Sequence, residues 1–136
     1  MAMRTSLSAI RLGALYAGAV FLAGFALGAL RTLVIAPRTG DLIAVGIELP
    51  VILGVSWLVF GWLARGRAAW PLPARGQAGL VAFLMLMALE LALSVVIADG
   101  GVRGFVADWL TLPGALGLAG QVGFALIPLV HPAARN

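Results

Sequence analysis

Four long apolar runs, at residues 12–36, 41–64, 76–98 and 109–130, leave this chain few folds to choose from. At about 1.5 Å per helical residue, each run is long enough to cross the ~30 Å hydrocarbon core of a bilayer. A helix that is apolar all round must lie in lipid or in the core of a large protein, and 136 residues supply no large core. Only 10% of the residues are charged, whereas a soluble domain needs about a quarter. The reading is a single all-α domain, residues 1–136: an integral-membrane antiparallel four-helix bundle with short loops, since irregular backbone at bilayer depth is costly. Arg4 and Arg11 precede the first apolar run as they would in a signal peptide, but that run is too long and three more follow it. It is therefore expected to be retained.

Composition removes several function classes. With no cysteine there is no disulfide framework and no thiolate-ligated metal. All nine basic residues are arginine, so no lysine is present to form a Schiff base with retinal or pyridoxal phosphate. His131 is the single histidine, too few for a membrane haem with two protein imidazole ligands. No cofactor and no metal are expected. The net charge of +4 comes from arginines scattered between apolar runs, not from a patch, so nucleic acid is not an expected partner and the lipid bilayer is. No nucleophile–base set can be assembled either, which argues against an enzyme.

Arginine placement sets the expected orientation. The N-terminal lead, the 65–75 connection and the tail share one side and carry Arg4, Arg11, Arg65, Arg67, Arg75 and Arg135. The opposite side has Arg38 and Arg103, with Asp41, Asp99 and Asp108 beside them in the turns PRTGD and DGGVRGFVAD. Six against two puts both termini in the cytoplasm. Asp41 is placed to cap the second helix. Pro50, well inside that helix, is expected to kink or loosen it near Gly46 and Ile47. Gly24 and Gly28 form a GxxxG pair, and glycines at 114, 117, 120 and 123 give the last helix a broad face for close packing.

The chemistry-bearing feature is a set of polar residues within the apolar runs. Arg31 lies about 7–8 Å from the outer end of the first run, Glu48 about 10 Å down the second and Glu90 about 12 Å down the third. Gln121 on the fourth lies slightly deeper. Charges at such depth cost roughly 2.5–3.5 kcal/mol each, so they are expected to face inward and pair. One arginine between two glutamates leaves a formal charge of −1. Either a second cation joins or one carboxyl carries a proton, and Glu90, the deeper, is the expected holder. Met85 and Met87 point to opposite faces of one helix and read as packing.

The segments GALRTLVIAPRTG, ELP, ALELAL and GLAGQ, spread from Phe25 to Pro128, resemble an uncharacterised group of short four-helix bacterial inner-membrane proteins. The resemblance implies a fold and a location and brings no mechanism. Small multidrug transporters share only the architecture: their essential glutamate is on the first helix, where this chain has Arg31. Two functions follow. In the favoured one the protein is structural or accessory, its Arg–Glu–Glu cluster fixing the bundle and its glycine faces docking a partner subunit or a second copy. In the alternative it is a small proton- or ion-coupled transporter or channel with Glu90 or Glu48 as carrier. A single four-helix bundle has little room for a ligand cavity, so transport is expected to require an oligomer.

Overall fold

The computed structural model describes residues 2–67, 69–97 and 99–134. Two sequence expectations, the end of the third run at Ala98 and the contribution of Arg135 to the charge count, lie outside the described residues. The elements are α1 (Ala2–Leu30), a π-helical turn (Arg31–Ile35), α2 (Ala36–Thr39), α3 (Asp41–Ala64), α4 (Leu72–Ile97), α5 (Gly101–Asp108) and α6 (Leu112–Val130). Among the described residues, four helical spans are long and apolar enough to cross a membrane: Met3–Thr39, Asp41–Ala64, Leu72–Ile97 and Leu112–Val130. Their outer surfaces are apolar. Leu22, Leu58 and Val96 stand 71%, 72% and 82% exposed, a pattern that suits lipid and would drive aggregation in water.

Several boundaries differ from the sequence reading. The first helix begins at Ala2 instead of residue 12, because its early turns have their own packing surface. Ala9 is buried with Ala74 and Ala78, and Gln77 Nε2 donates to Ser6 Oγ at 2.8 Å. The PRTGD turn shrinks to Gly40, whose φ of +86° suits glycine. Helix continues through Pro37 because the helix widens just before it: the Ala36 N–H reaches back five residues to the Arg31 carbonyl. That extra residue per turn relieves the clash a proline ring makes with the preceding turn of an α-helix. Gly40 is then the N-cap of α3, and Asp41 stands in the first turn without a side-chain capping bond.

Helix α4 starts at Leu72, before the expected residue 76, since prolines are tolerated where the first N–H groups have no helical partner. The expected glycine-rich turn at 99–108 is mostly the helix α5, and α6 begins at Leu112 instead of residue 109, capped by Thr111 Oγ1 accepting from the Gly114 N–H at 3.1 Å. Pro50 is exposed within a helix that stays α from Asp41 to Ala64.

Helix α1 packs on α3 and α4, and α6 packs on the same two. The shared core contains Leu12, Tyr16, Phe60, Ala82 and Phe124. Here small residues let backbones meet. A methyl group on Gly13 would strike the Ala78 carbonyl oxygen, and one on Gly79 would strike the Ala125 carbonyl oxygen. The GxxxG pair does not do this: Gly24 has only Ile52 Cδ1 nearby, at 3.8 Å, and Gly28 only the Arg31 guanidinium, at 4.0 Å. Close packing falls on Gly13 instead, one helical face earlier.

Candidate functional site

Tight at one end, the four long helices open at the other. Between α1, α3, α4 and α6 lies a crevice of about 930 Å³, with Asp108 and Trp109 at the edge of α5 also on its wall. That is the size of a small-molecule site, and one chain supplies it. One chain thus has more room between its helices than the sequence reading allows, as a half-open crevice, and the reason is local. Gly24, Gly28 and Gly117 line the space, and no atom outside its own backbone comes near a methyl built on Gly117. These three leave volume, whereas Gly114 and Gly120, also on the wall, are close-packed as the sequence predicts: a methyl on Gly114 would strike the Asp108 carbonyl oxygen and one on Gly120 the Leu49 side chain.

All four polar residues singled out from the sequence, Arg31, Glu48, Glu90 and Gln121, line this crevice. They are joined as two pairs. Arg31 Nε lies 2.7 Å from Glu48 Oε2, a bridge from the π-helical turn to α3. Their side chains keep 33% and 18% of their exposure, so the pair faces the crevice and is only partly desolvated. Glu90 Oε2 on α4 accepts a hydrogen bond from Gln121 Nε2 on α6. Among the described residues no ion pair links Glu90 to Arg31. Gln121 Oε1 is buried and accepts no hydrogen bond from the protein.

Of the outer-turn residues, Asp41 and Asp108 also line the crevice. Thr111 Oγ1 lies 2.6 Å from the Asp108 carbonyl oxygen, to which it donates, and 3.4 Å from Asp108 Oδ1. Arg38, Asp99 and Arg103 are exposed away from it; Arg38 Nη1 instead donates to the Val34 carbonyl at 2.6 Å. No group of three or more His, Cys, Asp and Glu side chains among the described residues is placed to hold a metal ion.

Three features escaped the sequence reading. The π-helical turn starts at Arg31 itself, and such turns recur at functional sites; Pro37, six residues on, was the available signal. Tyr16 donates its hydroxyl to the Phe124 carbonyl at 2.8 Å. Phe124 precedes Pro128 by four residues, so its carbonyl has no helical N–H partner and the tyrosine takes that place. His131 is buried, its ring 4.3 Å from that of Trp57 and 5.4 Å from that of Phe60, in space left by Gly61. Burial holds the imidazole below its ordinary pKa, with the backbone at Trp57 acting in the opposite sense. At the same end Arg75 Nη1 donates to the Leu129 carbonyl at 2.7 Å, closing the last turn of α6.

Comparison of the chain with family models, with curated proteins and with solved structures finds no match in any of the three.

Proposed function

We propose that this chain is a small bacterial inner-membrane protein, an antiparallel four-helix bundle with both termini in the cytoplasm. On this reading it binds a small ligand in its crevice and moves it in exchange for a proton carried on Glu90 or Glu48, as a transporter and not as an enzyme. One observation carries the reading: Arg31, Glu48, Glu90 and Gln121, drawn from all four apolar runs, face the same crevice of about 930 Å³. A lock between helices needs no such space beside it. The orientation rests on the arginine count together with two contacts, Gln77 to Ser6 and the Trp70 N–H to the Ala134 carbonyl, which gather the basic segments at the closed end.

The runner-up is the structural or accessory role, with a partner membrane subunit or a second copy against the outer faces. It is favoured by the pairing itself, since Arg31–Glu48 ties α1 to α3 and Gln121–Glu90 ties α6 to α4. Proteoliposomes loaded with a pH-sensitive dye separate the two. Transport predicts proton movement, between pH 5 and 8, when small organic cations, anions or neutral compounds are added outside in turn and one of them is exchanged. That movement is lost in Glu90→Gln while the variant's melting temperature in detergent is retained. Absence of flux in the wild type, together with lower melting of both Glu90→Gln and Glu48→Gln at every pH, establishes the structural role instead.

A further inference from the structure

Resting on the reading of the crevice as a binding site, we infer that its ligand is a protonated amine on an apolar, ring-sized body, neutralised by Glu90. The charge inventory comes first. Among the described residues the walls carry four carboxylates, Asp41, Glu48, Glu90 and Asp108, and one basic side chain, Arg31. Arg31 is already committed to Glu48 at 2.7 Å. Among the described residues Glu90, Asp41 and Asp108 have no basic partner, so an anion would enter against acidic walls. A cation suits them, and at Glu90 it takes the place of the proton that the carboxyl otherwise carries.

The wall decides which kind of cation. A bare metal ion needs several ligands converging on a small space, and the described carboxylates form no such group. The crevice is ligand-sized and carries aromatic rings: Phe25, Phe105, Trp109 and Phe124 line it, and Phe105 and Trp109 meet edge to face with centroids 5.3 Å apart. Such rings take an apolar body and present π faces to a positive charge. The Gln121–Glu90 pair adds a preference for N–H donors. Gln121 gives an amide hydrogen to Glu90, while its own Oε1 is buried with no donor from the protein, so the pair is short of hydrogens and not of acceptors. A protonated amine supplies them; a quaternary ammonium does not.

The test is isothermal titration of the full chain in detergent at pH 7 with four probes of one shape. These are 2-phenylethylammonium, its N,N,N-trimethyl analogue, 2-phenylethanol and 3-phenylpropionate. The expected order has the primary ammonium tightest, with about tenfold or more lost in Glu90→Gln and a smaller loss in Asp108→Asn, which leaves the central pairs in place. Gln121→Leu is expected to erase the preference for the primary over the trimethyl ammonium. Equal binding of the two cations, or undiminished binding to Glu90→Gln, overturns the inference. Tight binding of the alcohol or the carboxylate, weakened by Gly117→Leu, overturns the amine while leaving the crevice a binding site. No heat from any of the four sinks both.

Discussion

The same four helices behave differently at their two ends, and the contrast locates the functional half of the molecule. At the closed end, Tyr16, Phe60 and Phe124 interlock, with ring centroids 5.4 Å apart for Tyr16–Phe60 and 4.2 Å for Tyr16–Phe124. There two backbone irregularities are answered: Tyr16 serves the carbonyl that Pro128 orphans, and Arg75 serves the end of α6. At the open end Thr111 caps α6, but the elements do not close on one another. A π-helical turn carries Arg31, polar side chains pair across a space, and glycines border volume. Glycine has two roles here. At Gly13 and Gly79 its missing methyl permits backbone contact, whereas at Gly24, Gly28 and Gly117 beside the crevice it leaves open volume. Stability belongs to the first end and room for chemistry to the second.

The sharpest way to break this contrast is to place one methyl group at each end. Gly79→Ala drives a carbon into the Ala125 backbone and must separate α4 from α6, so it should cost about 3 kcal/mol by overpacking. Gly117→Ala meets open space within a helix, and should stabilise by about 0.5–1 kcal/mol because alanine has less chain entropy to lose. Thermal unfolding in detergent, followed by helical circular dichroism, reads both. Equal shifts of the same sign would abolish the distinction between the ends. Next in size is Tyr16→Phe, which keeps the ring stack and strands the Phe124 carbonyl, for a loss of about 1–2 kcal/mol. Restoring the helical donor with Pro128→Ala in the Tyr16→Phe background should recover much of it; no recovery would detach the tyrosine from the proline.

These experiments also mark what a sequence of this kind discloses. Span number and approximate placement were legible because apolarity is one-dimensional: a run of sufficient length declares itself without reference to its neighbours. That Arg31, Glu48, Glu90 and Gln121 line one crevice was legible for a related reason, since helical rise converts residue number into position along the helix. Partner choice was legible only for Arg31 and Glu48, which a short hairpin holds side by side. Depth says nothing of rotation about the helix axis, and rotation decided that Glu90 meets Gln121 and not Arg31. The room in that crevice was illegible too, because GxxxG reads the same whether the facing helix is near or far. α5 was misread from its glycines, although Val102, Phe105, Val106 and Trp109 follow helical spacing, and Phe105 and Trp109 do pack together.

A smaller effect probes the open end alone. Arg31→Gln and Glu48→Gln should each destabilise, but the pair is partly exposed, so the coupling between them should be about 1 kcal/mol. The reversal Arg31→Glu with Glu48→Arg should therefore melt closer to wild type than either single variant. A double variant no better than the sum of the singles would mean that the two side chains act on separate partners.

The smallest effect returns to the closed end and concerns pH. His131 is buried against Trp57 and Phe60, and its imidazole is held below the ordinary value of about 6.5. Between the folded and unfolded values the unfolded chain binds the proton more readily, so this residue's contribution is fully present above about pH 6.5 and is lost as pH falls toward the folded value. Replacement by phenylalanine keeps a ring in the space beside Gly61 and removes the titration. The melting temperature of the wild type should therefore fall relative to that of His131→Phe between pH 7 and pH 5.5, with Glu48 and Glu90 common to both chains and cancelling in the difference. Parallel curves would mean that the imidazole gains its proton without cost, which a ring packed inside the closed end cannot do. In that case the closed end is wetter than its packing implies, and the division of labour between the two ends would have to be redrawn.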